Sequence, residues 1–169
     1  MTNTTRNNSR NLIILLDLNY TLVCNSDEIK FIKPYQDSNT IKVLKEYLKI
    51  IAEKYRDWLV DLIKDFYVIL ITARPKYQEK VTTDSIKEKL GGWMPNEMYF
   101  QEENDRPPVA KEKLLQKYIL PKHGLNIDYL AIESNPRTKK MYKKYQIHSV
   151  SVYDEDGLDL RNQLEIRSD

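Results

Sequence analysis

Cysteine is nearly absent from this chain: Cys24 is the only one in 169 residues. No intrachain disulfide can form, and a cytoplasmic location is the expectation. Cys24 itself reads as a passive thiol. Long apolar runs are missing as well. None approaches the ~20 residues of a membrane-spanning helix, so no membrane partner is expected. The polar segment Met1 to Asn11 lacks the hydrophobic centre of a signal peptide. Charge of one sign is also missing. Lysine and arginine number 27 against 25 aspartates and glutamates, a net charge of +2, which argues against a binder driven mainly by electrostatics. There is no internal repeat.

Hydrophobic residues make up 41% of the chain and charged residues 31%, enough for one core and one domain. Residues 1–10 read as a disordered lead-in, 11–153 as the domain, and 154–169 as a loosely held polar tail. Leu12 to Leu16 is an unbroken aliphatic run, too short for an ordinary helix, and reads as a strand buried on both faces. Tyr67 to Ile71, Met98 to Phe100, Tyr129 to Ile132 and His148 to Tyr153 complete a set of five strands. Between them lie helical patterns. The segment 38–65 carries an apolar stripe through Ile41, Leu44, Leu48, Ile51, Tyr55, Trp58 and Leu62, as one long helix or two abutting ones. Its seam admits a homodimer through 41–62, although a helix laid on the sheet fits the wider stripe better. Thr83 to Leu90 is stopped by Gly91-Gly92. Pro107-Pro108 opens a further helix that Pro121 ends, and Asn135-Pro136 opens the next, with Asn135 as its N-cap. Alternating strands and helices predict a mainly parallel five-stranded sheet covered on both faces.

Chemistry gathers at the strand ends. Asp17 closes the first strand in Leu16-Asp17-Leu18-Asn19-Tyr20-Thr21-Leu22, where ligands of open α/β sheets bind. Thr72-Ala73-Arg74 closes the second. Val109-Ala110-Lys111-Glu112 lies near the start of a helix, and Glu133-Ser134 follows the fourth strand. In this order the four segments resemble the motifs of the haloacid dehalogenase (HAD) superfamily. The third is similar to the form found in polynucleotide kinase 3′-phosphatase domains. The resemblance covers residues 11–153 and implies a three-layer, Rossmann-like fold with a minimal cap, here the short 24–37 insert.

The resemblance also implies a set of roles. Asp17 would be the nucleophile that becomes an aspartyl-phosphate. Thr72 and Lys111 would hold phosphoryl oxygens, with Ala73 and Arg74 beside them at the substrate; Lys113 competes with Lys111 for its role. Magnesium (Mg²⁺) would be held by Asp17, the Asn19 carbonyl, Glu133 and Ser134. Two positions depart from the family pattern. Asn19 stands where the general acid and base is usually an aspartate, and an amide cannot transfer that proton. Ser134 stands where a second acid commonly meets the metal. The expectation is therefore a slowed phosphomonoesterase acting on a phosphorylated small molecule or a nucleic-acid end. The alternative is a catalytically impaired HAD-fold protein that binds phosphate or regulates. The basic run Arg137 to Lys144 reads as a solvated helix face.

Overall fold

Five aliphatic side chains in succession leave a strand no face for water, and Leu12–Leu16 (β1) lies at the centre of the sheet with every one buried. The computed structural model describes residues 12–30, 39–152 and 157–168. β2 (Tyr67–Pro75), β3 (Glu97–Gln101), β4 (Asp128–Ile132) and β5 (His148–Val150) complete a sheet in the order β3-β2-β1-β4-β5. Every pairing in it is parallel. Leu16 pairs with Leu70 on one side and with Ile132 on the other. The residues that follow these, among them Asp17, Thr72 and Glu133, therefore emerge along one edge of the sheet.

The alternation of side chains along buried strands divides the core in two. Ile14, Leu16, Val68, Leu70, Leu130 and Ile132 face one layer, where Leu59 and Ile63 of α3 (Asp57–Ile63) and Ile86 of α4 (Glu79–Lys89) pack. Ile13, Leu15, Ile69, Ile71 and Ala131 face the other. There they meet Leu114 of α5 (Pro107–Leu114), and Met141 and Tyr142 of α7 (Pro136–Lys144). α1 (Ser26–Ile29) follows the β1 turn, and α2 (Asn39–Ile51) precedes α3. No helix among the described residues is long and apolar enough to cross a membrane.

Several expectations change. Of the two forms open to the 38–65 pattern the structure has two helices, separated by a linker that buries Glu53 and Tyr55. Leu44, Leu48 and Ile51, read as part of a core-facing stripe, are 50–59% exposed, whereas Ile50 is buried. Among the described residues α2 lies against α4, with Ile50 turned inward. Pro121 does not end its helix. The chain widens through a π turn at Leu115–Ile119 and continues as α6 (Leu120–His123), where Pro121 occupies the first turn and needs no N–H partner. The C-terminal segment, read as loosely held, is helical over residues 158–168. α8 (Leu158–Ser168) buries Leu160 and Leu164 in the first core layer. Gly157 precedes it at φ +59, where a Cβ would lie 2.6 Å from the Trp58 ring. Cys24 is exposed, with its Sγ 3.3 Å from the Lys54 carbonyl. The lead-in at 1–10, residues 31–37 of the insert and Tyr153 lie outside the described residues.

Candidate active site

Asp17 leaves β1 with its N–H still bonded to the Ile132 carbonyl at 2.9 Å, so the sheet itself fixes its backbone. The next residues turn sharply. Tyr20 adopts φ 62, a left-handed conformation that favours glycine, and its N–H is received by Ser26 Oγ at 2.8 Å. This turn brings Thr21 back onto Asp17, and Thr21 Oγ1 donates to Asp17 Oδ2 at 2.7 Å. Ser134 Oγ lies 3.1 Å from the same oxygen and 3.3 Å from the Asn19 carbonyl. Lys111 Nζ reaches Asp17 Oδ1 at 2.5 Å and Glu133 Oε2 at 2.6 Å. Its proline-led helix delivers this ammonium into the protein, where Lys111 is 2% exposed.

Two carboxylates and one ammonium thus share a dry site. Burial alone would drive the Lys111 proton off, but the charges of Asp17 and Glu133 outweigh it and hold the ammonium above its ordinary range. Glu133 is pushed up to about 7, foremost by burial and further by Asp17, with Lys111 acting against both. Its second oxygen accepts the Asn135 N–H at 2.9 Å, so both Glu133 oxygens are engaged within the protein. Asn135 caps α7 as expected, accepting from the Arg137 N–H at 2.9 Å. Lys113 instead pairs on the surface with Glu103 and Asp105.

Thr72 is buried in β2, where the register against β3 begins to shift, with its hydroxyl 3.2 Å from the Arg74 N–H. Gln101 donates to the Ala73 carbonyl, bracing this second turn. Arg74 points at Asn19, and its Nε and Nη2 lie 3.2 Å and 2.6 Å from Asn19 Oδ1. On its other side Arg74 bonds Glu53 and Thr82. Tyr55 donates to Glu53 at 3.0 Å. Burial comes first among the causes that raise the Tyr55 hydroxyl well above its usual range, and the Glu53 charge adds to it. Sequence reasoning missed Thr21, Glu53, Tyr55, Thr82 and Gln101. Only Thr21 carried a visible signal, its place four residues after Asp17.

The residues present fit a hard divalent cation. Asp17 Oδ2, the Asn19 carbonyl and Ser134 Oγ converge as an all-oxygen set of the kind Mg²⁺ takes. The set is poor in charge. Among the described residues no three carboxylate, histidine or cysteine side chains are grouped to hold a metal, and Lys111 already neutralises part of what Asp17 and Glu133 supply.

A parallel sheet with an acid at the tip of its central strand, a buried lysine beside it and a second acid on the next strand defines an α/β protein of the HAD-like fold. Solved structures show the same architecture. A chain of the Pnkp1/Rnl/Hen1 complex matches with a TM-score of 0.60 and 15% identity, over 86% of this chain and 47% of that one. This chain thus spans about half the length of that protein. A haloacid dehalogenase-like family hydrolase from Streptococcus pneumoniae matches with a TM-score of 0.59 and 13% identity, over 85% and 84% of the two chains. A phosphoserine phosphatase in its apo form gives 0.51 and 14%, over 84% and 86%. No family model and no curated protein sequence matches the chain.

Proposed function

We propose that this protein is a magnesium-dependent phosphohydrolase that forms an aspartyl-phosphate on Asp17 and turns it over slowly. The observation that carries this reading is the environment of Asp17. Its carboxylate ends the central strand and is held at both oxygens by Lys111, Thr21 and Ser134, and Ser134 also meets the Asn19 carbonyl. In the first step an Asp17 oxygen bonds to phosphorus as the ester P–O bond breaks, and the leaving oxygen takes its proton from solvent. In the second, water attacks the same phosphorus, which frees phosphate and restores Asp17. Lys111 offsets the negative charge of the transferred group, and Glu133 keeps Lys111 aimed at Asp17. Mg²⁺ would be held by Asp17, the Asn19 carbonyl and Ser134, with Glu133 behind them, and would neutralise phosphoryl oxygens.

Asn19 is the source of slowness, since it can neither protonate the leaving group nor activate water. A nucleotide or nucleic-acid end phosphate is the favoured substrate. The third-motif likeness and the fold shared with a chain of the Pnkp1/Rnl/Hen1 complex support this. Incubation with acetyl phosphate and magnesium tests the reaction itself. A hydroxylamine-sensitive phosphoryl group should appear on the protein and be missing from Asp17→Asn. If neither protein is labelled while both still bind phosphate analogues, a catalytically impaired phosphate-binding protein replaces the enzyme.

A further inference from the structure

Arg74 is 6% exposed and carries five N–H donors. All five are committed inside the protein. Nη1 serves Glu53 Oε2 at 3.2 Å and Thr82 Oγ1 at 3.1 Å, and Nη2 serves Glu53 Oε1 and, at 2.6 Å, Asn19 Oδ1. Nε serves Asn19 Oδ1 again at 3.2 Å. Nothing is left over for a phosphate. Because a guanidinium only donates, the Asn19 amide must turn its oxygen towards Arg74; the flipped amide would set N–H against N–H. The Asn19 NH₂ then faces away, on an exposed residue, and no described residue accepts from it. Glu53 holds the guanidinium in this pose from the α2–α3 linker. That linker is bound to the nucleophile turn by the Val23–Tyr55 bridge and by the Arg56 N–H to the Leu22 carbonyl.

We propose that Glu53 and Arg74 are positioning residues that lock the Asn19 amide with its NH₂ outward, giving the transferring phosphoryl ester a fixed hydrogen-bond donor where a proton donor is missing. The donor stabilises charge growing on the ester oxygen without moving a proton. This role rests on the Asp17 reading and assigns Arg74 to Asn19 instead of to substrate.

The test is a double-mutant cycle on the full chain read by alkyl phosphate kinetics, where expulsion of the poor leaving group limits turnover. Glu53→Gln should lower kcat by about ten- to hundredfold with little change in KM, the scale of a misplaced catalytic group. In an Asn19→Ala background the same change should be nearly silent. An equal fall in both backgrounds would overturn the proposal. Arg74→Lys guards against a folding defect, since it keeps the buried charge and loses the fork. In that variant ¹⁵N relaxation of the Asn19 side-chain amide, assigned by its loss in Asn19→Ala, should change from rigid to mobile. An amide already mobile in the wild type, or equally rigid in Arg74→Lys, also refutes the lock. The amide signal needs no turnover. Absence of phosphorylated Asp17 would therefore sink the phosphatase reading while the relaxation still decides the positioning.

Discussion

Replacing Asn19 by aspartate changes one atom type in a place whose partners are known. Arg74 Nε and Nη2 stand 3.2 Å and 2.6 Å from Asn19 Oδ1 and would meet a carboxylate there with no rearrangement. The guanidinium already serves Glu53, so the new group joins one cation and one anion. Its charged form is favoured by the nearer Arg74, which makes the introduced carboxylate a base first and an acid second. General acid–base help of about 10²–10⁴-fold corresponds to about 3–5 kcal/mol of barrier. The full benefit should fall on the second step, where a base must take a proton from water. With p-nitrophenyl phosphate the leaving group needs no proton, so the wild type should release one burst of p-nitrophenol and then run slowly. In Asn19→Asp the burst should vanish and the steady rate rise by about 10²-fold or more. Alkyl phosphates should gain less, because protonating the leaving group works against Arg74. Rapid-mixing absorbance measures the burst and the steady rate, and a phosphate-release assay measures the alkyl esters. A burst that survives with an unchanged steady rate would refute the reasoning, since it would show that residue 19 does not limit breakdown of the intermediate.

Other outcomes follow from the same contacts. Lys111→Met strips the ammonium from two buried carboxylates, and denaturant unfolding should report a loss of about 3–5 kcal/mol together with abolished labelling of Asp17. Ser134→Asp should tighten magnesium binding by at least about tenfold in calorimetry, since it adds a carboxylate to a charge-poor oxygen set; equal affinity would place the metal elsewhere. At the far end of the sheet, burial acts to raise the Glu97 carboxyl. Hydrogen bonds from Tyr67, Tyr99, Lys122 and His123 outweigh it and hold the group at about 2, against an ordinary 4.5. The folded state therefore binds this proton less readily than the unfolded chain, and the stabilisation is present above about pH 4.5 and drains away as pH falls towards 2. Glu97→Gln should cost roughly 1–3 kcal/mol at pH 7 and progressively less in acid, as thermal unfolding across that range will show.

The strands were legible because aliphatic runs buried on both faces have few other uses, and the register then placed Asp17, Thr72 and Glu133 on one edge without further information. Lys111 was legible from its proline-led helix and the Val-Ala-Lys-Glu pattern. The Arg74 environment was not. Its partner Glu53 is 21 residues away in a linker without proline or glycine, so nothing local marks the break between α2 and α3. Nor could composition show that Leu44 and Leu48 face outward, since an amphipathic stripe specifies a direction only once its neighbour is known. α8 was missed for the opposite reason. Its two buried leucines are too few to outweigh a polar segment when read alone.

The central strand pairs with β2 and β4, and the lysine that completes the site is 94 residues from Asp17. Such parallel, long-range pairing closes large loops before it returns any contact energy, and folds slowly. Until β4 docks, Asp17 and Glu133 remain in water and Lys111 has nothing to enter for. The three charges can therefore become dry only together. A chain with a nick or insertion between α4 and β4 should collapse with Asp17 still hydrated. Burial of Asp17 during refolding would then lag behind recovery of helical signal, so the charge cluster would time the docking of β4.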